Sequence, residues 1–317
     1  MNRHRFSKAF LMMAAVLVAW TATATAQELI LYTMPPPGSL DWSSPRSLLF
    51  GAAIANRLTF THVKHKHTFG HVFIELRGPD GQSEFAGSTT APDAPSDADF
   101  ITKHGYGLGV FFANFRGALD TREALEPQIA DREKSGRLGF ITFKLNRAQY
   151  NRLATFLREY KERGYHKIYN GLNRPREGLG AGCSAFGIAF LEVGGFHRPM
   201  FAKQWMVHVR LPEALIGGPT TGRRVSLLAA ALGRWAREDE PHRVLSLYDP
   251  DLIFKWIVRM HQAARFQQVH HAVGADNGDY TDRPKLVKRG NALGIEFDVS
   301  REPLPREPIF LVPPPAR

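Results

Sequence analysis

Cysteine is nearly missing from this sequence: 317 residues contain one, Cys183. A lone thiol excludes an intramolecular disulfide, so the fold has to be held by its core. Acidic residues are also in deficit, 30 against 41 Lys and Arg, for a formal charge of +11. The excess base is scattered, with no dense run and no nucleic-acid-binding motif, which argues against a nucleic-acid partner. The Gly-Lys-Ser/Thr ending of a P-loop and the spacing of a dinucleotide fingerprint are absent, as is His-Glu-x-x-His. No cofactor is implied. Beyond the N-terminus, no apolar run approaches the ~20 residues needed to span a bilayer.

What is present begins with an export signal. Arg3, Arg5 and Lys8 form a basic region, Ala9 to Trp20 an apolar one, and Ala22-Thr-Ala-Thr-Ala26 a small-residue cleavage site. Residues 1–26 are expected to be removed, leaving about 290 residues in the periplasm or outside the cell, enough for a sizeable core. Cleavage lowers the formal charge to +8 by removing those three basic residues. The remaining base suits attraction to an anionic envelope surface. An unpaired cysteine in an oxidising compartment is a liability, and it is kept either for reactivity, for an intermolecular bridge or as a buried apolar residue.

Patterning divides the chain further. Glu28 to Tyr32 reads as a strand, followed by the stiff connector Met34-Pro-Pro-Pro-Gly38 and a helix capped at Ser43 or Ser44, with Pro45 in its first turn. Leu58 to Val63 and Gly70 to Leu76 read as strands, and Gly78-Pro-Asp-Gly81 as a turn that pairs the second of them with Gln82 to Ser88. Another strand is expected within Tyr106 to Phe115. Arg137 to Leu145 is a strand, and Asn146 caps a helix with Tyr150, Leu153, Leu157 and Tyr160 on one face. The Gly-, Pro- and Asn-rich residues 165–182 are irregular, Cys183 opens a helix closed by Gly194-Gly195, and a strand at Trp205 to Leu211 precedes helices near Val225 to Arg237 and Pro250 to Ala264. From about Gly274 the chain reads as an extended or poorly ordered arm.

Chemistry concentrates at Gly178-Leu-Gly-Ala-Gly-Cys-Ser184. The glycines allow a sharp turn with space beside the sulfur. A helix start supplies free N–H groups that lower a thiol pKa and can hold an oxyanion. A cysteine nucleophile needs a base. Among 13 histidines, His71 is set apart by Phe69-Gly-His-Val-Phe, where a strand fixes the ring and Gly70 admits a neighbouring backbone. His62, His65 and His67 crowd the same stretch and raise a metal-binding alternative. Arg174 and Arg176, just before the cysteine, are candidates to grip a substrate carboxylate or phosphate.

The Phe-Gly-His strand, followed by Tyr169-Asn170 and the Gly182-Cys183-Ser184 helix start, resembles the circularly permuted papain-like (NlpC-type) cysteine hydrolases. It is closest to bacterial envelope families of unassigned function, and covers roughly Leu58 to Gly195. The residue before the cysteine departs from the pattern, being glycine where those families carry asparagine. The resemblance implies an α+β fold with a small antiparallel sheet packed on the cysteine helix, and a third polar residue on the strand after the histidine. Glu84 is the expected residue, with Gln82 and Ser88 as alternatives. Tyr169, Asn170, Ser184, Arg174 and Arg176 are the expected substrate contacts.

The expected organisation is a signal at 1–26, a connector and helix at 27–57, a catalytic domain at 58–212, a helical extension at 213–273 and the arm at 274–317. The function expected is an exported hydrolase working through Cys183 and His71 on an envelope amide, ester or thioester, in wall peptide, lipid or lipoprotein. The rivals are a non-catalytic envelope binding protein with a structural cysteine, and a metal-binding protein built on the histidine cluster.

Overall fold

The computed structural model describes residues 26–49, 69–95, 97–269 and 284–313. Most of the signal, the strand expected at Leu58 to Val63 and the His62, His65 and His67 cluster lie outside them.

Eleven strands and eight α-helices are found among the described residues. In chain order they are β1 (Gln27–Met34), α1 (Pro45–Leu48), β2 (His71–Arg77), β3 (Ser83–Ala86), β4 (Ser88–Thr90), α2 (Asp97–Thr102), β5 (Phe115–Leu119), α3 (Arg122–Lys134), β6 (Gly139–Leu145) and α4 (Arg147–Glu162). There follow β7 (Ile168–Tyr169), α5 (Cys183–Gly194), α6 (Pro199–Trp205), β8 (Met206–Pro212), α7 (Leu227–Leu232), β9 (His242–Tyr248), α8 (Pro250–Val269), β10 (Lys285–Arg289) and β11 (Ala292–Asp298). The protein is mixed α+β.

The main sheet has the order β10-β11-β6-β1-β2-β3, antiparallel except where β11 runs parallel to β6. β1 is central, and its near-continuous apolar run suits burial on both faces. Leu29 and Leu31 join Val72, Ile74 and Phe143 in the largest core, which α4, α5 and α8 cover. Ile30, Tyr32 and Met34 turn the other way, toward Phe73, Phe140 and Leu125 of α3. This alternation, the period of two of a strand, makes three layers.

Local rules account for the elements that matter most. Ser44 caps α1 by accepting from the Ser47 N–H, with Pro45 at the first position. Asn146 and Gln149 form a reciprocal capping box at the start of α4. The Gly78 to Gly81 turn joins β2 to β3 as the expected antiparallel pair, with Arg77 opposite Ser83.

Two expectations are corrected. Residues 108–112 form a 3-10 turn rather than a strand, and a side chain on Gly109 there would strike the Gly217 backbone. Within the expected C-terminal arm, residues 285–298 are no loose tail: β10 and β11 form a hairpin around Gly290 and extend the main sheet, burying Ile295 and Phe297 in the largest core. That core collects side chains from Leu29 to Phe310, so residues 29–31, 253–257 and 295–310 share it with the expected catalytic segment. The main sheet has six strands and is mixed, larger than the small antiparallel sheet expected.

Candidate active site

β2 opens on His71, and the chain reaches it through Gly70 at φ 84°, a left-handed conformation that favours glycine. Any side chain on Gly70 would strike the Met34 carbonyl, Pro250 and Pro36 within 3.0 Å. β3 ends opposite Ile74, so residues 71–73 extend past it along an open edge. α5 packs against this part of β2, with Gly187 seated on Val72 and Leu31. That contact carries the first turn of α5, with Cys183, to the open edge.

The loop before Cys183 is pinned in three places. Gly180, at φ 79°, leaves no room for a side chain against the Ile168 carbonyl, and Gly182 packs on Gly171. The Ala181 N–H donates to the Ile168 carbonyl, while the Ser88 hydroxyl donates to the Ala181 carbonyl at 2.7 Å. Gly182 is the N-cap of α5 and has no side chain to engage the N–H groups of the first turn. Those donors remain available beside the sulfur.

His71 is 1% exposed, and its Nε2 lies 2.8 Å from Oδ2 of Asp120, which is 10% exposed. The ring also stacks on Phe73. With Nε2 engaged, Nδ1 is the nitrogen that remains for the Cys183 sulfur. Burial disfavours a charged imidazole, but the Asp120 carboxylate and the Cys183 sulfur outweigh it and push the His71 pKa up to about 10. Burial likewise opposes a thiolate at Cys183, yet hydrogen bonding and charge from His71, with the Val72 N–H and the Ser184 hydroxyl, bring the thiol below its ordinary value. The two shifts share the His71 and Cys183 contact, which favours an imidazolium beside a thiolate, and Asp120 adds the larger part of the rise at His71.

Asp120, not Glu84, is therefore the carboxylate on the histidine. Glu84 pairs with Leu76, well along β2 from His71, and its carboxylate is engaged by Lys161. Of the two alternatives, Ser88 is committed to the Ala181 carbonyl and Gln82 lies in the hairpin turn. Asp120 stands at the end of β5, with its N–H donating to the Gly87 carbonyl. In sequence it precedes Thr121, the N-cap of α3, and reads as an ordinary acid at a helix start. Gly87 is the second residue that sequence reasoning missed. A Cβ there would meet Asp120 Oδ2 at 2.7 Å, Phe73 at 2.8 Å and His71 Nε2 at 3.0 Å.

A cleft opens over the sulfur, with Cys183, Ser184, Gly182 and Tyr169 along one side. Its other walls are aromatic and aliphatic, from Leu40, Trp42, Phe111, Phe115, Leu247 and Tyr248. Among the described residues, one acidic residue borders it, Asp249, whose carboxylate accepts from Trp42 Nε1 and the Asp251 N–H at 2.8 Å each. Burial pushes its pKa up to about 6.

The remaining expected contacts divide. Tyr169 and Ser184 line the cleft. Asn170 is buried beneath it, donating to Asn114 and accepting from the Leu172 N–H, and so shapes the loop. Arg176 is buried and holds the C-terminal segment through the carbonyls of Pro308 and Ile309 and the Glu307 carboxylate. Arg174 is exposed and pairs with Glu177. Neither arginine lines the cleft. Among the described residues, no group of three or more His, Cys, Asp or Glu could hold a metal ion. Compared with protein-family models, curated proteins and solved structures, the chain finds no match.

Proposed function

We propose that this protein is an exported cysteine hydrolase of the permuted papain-like type, in which Cys183 is the nucleophile, His71 its base and Asp120 the residue that orients the imidazole. The observation that carries the reading is the relay from Asp120 through His71 to Cys183, with the thiol drawn below its ordinary pKa. A cysteine that is merely packed does not account for a carboxylate-held imidazole beside it. The order of histidine strand before cysteine helix, with α5 packed on β2, fits the permuted arrangement.

In this reading the Cys183 thiolate attacks a carbonyl carbon, and a free N–H of the first turn of α5 holds the developing oxyanion. The His71 imidazolium gives its proton to the leaving amine, alcohol or thiol as the carbon–heteroatom bond breaks. A water then donates a proton to His71 and adds to the thioester, and the Cys183–acyl bond breaks to release the acid and restore the pair. Asp120, 2.8 Å from Nε2, holds the ring so that Nδ1 faces the sulfur.

Wall peptide and acyl lipid or lipoprotein are both open to such chemistry in the cell envelope. The apolar walls of the cleft, with Asp249 the one acidic residue among its described lining, favour an acyl chain in ester or thioester linkage over a polar peptide. The test is hydrolysis of a series of p-nitrophenyl esters from acetate to laurate beside a peptide amide panel, by the mature chain and its Cys183→Ala variant. Turnover that rises with acyl length and vanishes in the variant supports the reading. Equal rates in the two proteins remove it.

A further inference from the structure

Helix α7 presents an apolar surface that no described element covers. It rests on the second core through Ala230, which is fully buried among Leu211, Leu215, Ile216 and Val225. Leu228 and Leu232, four residues apart and therefore on one face, point away from that core and are 68% and 76% exposed. They are the two most exposed large hydrophobic side chains among the described residues. Leaving two leucines in water serves no packing purpose.

Two exposed arginines stand just before this helix in sequence. Arg223 and Arg224 precede the N-cap Ser226 and are exposed. Their guanidinium groups donate to the backbone carbonyls of Glu213 and Lys103, with no carboxylate partner among the described residues. Arg234, after the helix, is paired with Glu240, and Arg210 with Glu238, so the uncompensated charge is on the Arg223 side. The same surface is tied to the cleft. Trp235 Nε1 donates to the Trp42 carbonyl at 2.7 Å, and the Trp42 ring is part of the cleft wall.

We propose that α7 and its flanking arginines dock this protein on an anionic phospholipid bilayer, with Leu228 and Leu232 entering the boundary between headgroups and acyl chains. Arg223 and Arg224 meet lipid phosphates, and the Trp42 and Trp235 contact places the cleft mouth near that surface. An apolar side chain flanked by unpaired base is the composition an interfacial segment needs, and the mature chain's formal charge of +8 adds long-range attraction to anionic lipid. The inference stands on surface residues remote from Cys183 and does not depend on catalysis.

The test is co-sedimentation of the mature chain with vesicles of equal parts phosphatidylglycerol and phosphatidylcholine, and with pure phosphatidylcholine. Binding is expected to the anionic vesicles, weakened by salt, and well above that to phosphatidylcholine. The Leu228→Ser/Leu232→Ser pair and the Arg223→Gln/Arg224→Gln pair should each lower it about tenfold. Neither pair should change the thermal midpoint or the labelling of Cys183. The proposal is overturned if the wild-type chain does not bind anionic vesicles, or if both pairs bind as it does. It is also overturned if the leucine pair converts a dimer to a monomer in light scattering while vesicle binding is unchanged, which would make α7 a contact between copies of this chain.

Discussion

His71 Nε2 and Asp120 Oδ2 stand 2.8 Å apart, although 49 residues separate them in sequence. The contact exists because β3 stops short of His71 and the chain, turning at Gly87, brings the end of β5 over the ring. Asp120→Asn should therefore disturb the site where Glu84→Gln does not. An amide at 120 cannot stabilise the imidazolium, so labelling of Cys183 by a thiol-directed acyl probe near neutral pH should fall by about tenfold or more. Glu84→Gln should label at the wild-type rate, since its carboxylate faces Lys161.

Gly87→Ala tests the same contact sterically. The added methyl would sit 2.7 Å from Asp120 Oδ2 and 3.0 Å from His71 Nε2, so one of them must move. Labelling should drop about as far as in Asp120→Asn, although no ionisable group is removed. An unchanged labelling rate would mean that the His71 and Asp120 contact is not needed for reactivity.

Asp249 predicts a pH dependence of stability. Its folded pKa, about 6, lies above the ordinary 3.8 because of burial. Well below the ordinary 3.8 the carboxyl is protonated whether the chain is folded or not. As pH rises through 6 the folded chain surrenders a proton that it holds more tightly than the unfolded chain does, and stability declines. Asp249→Asn removes that slope, so in urea denaturation the variant should gain on the wild type by up to about 3 kcal/mol between pH 4 and 7. A constant difference across that range would contradict the assignment.

The two arginines before the cysteine should separate by role. Arg176→Ala deletes a buried guanidinium that bonds two carbonyls and a carboxylate in residues 307–309, and should cost about 3 kcal/mol of stability. Arg174→Ala removes an exposed ion pair and should leave the denaturation midpoint where it was. Substrate turnover by folded protein should be the same in both, because neither side chain lines the cleft.

The parts of this structure that could be read from sequence are those whose signal is local. α4 announces itself by an apolar face and the Asn146 capping box, the β2 to β3 hairpin by Gly78-Pro-Asp-Gly81, and the cysteine helix by the glycines before it. What escaped depends on distant contacts. α3 contains Pro127 and almost no apolar stripe, so periodicity gives it no signal. β10 is short and charged and β11 carries Gly294, and they join the sheet because the edge of β6 offers parallel pairing to β11, on which β10 then folds back. Asp120 carries no motif, and only the crossing at Gly87 makes it the partner of His71. Arg176 looks like a substrate clamp from its place beside Cys183, but the segment that occupies it is more than 130 residues away.

Because the chain has one cysteine, its thiol can be titrated without interference. The decisive measurement is the pH dependence of alkylation of the mature, folded protein by iodoacetamide, in the wild type and in His71→Ala. The wild type should react with a midpoint below the ordinary thiol value of 9.0, and the variant should shift upward past it, since burial without His71 raises the pKa. A wild-type midpoint at or above 9.0 that His71→Ala leaves in place would contradict the thiolate and imidazolium pair on which the proposed function rests.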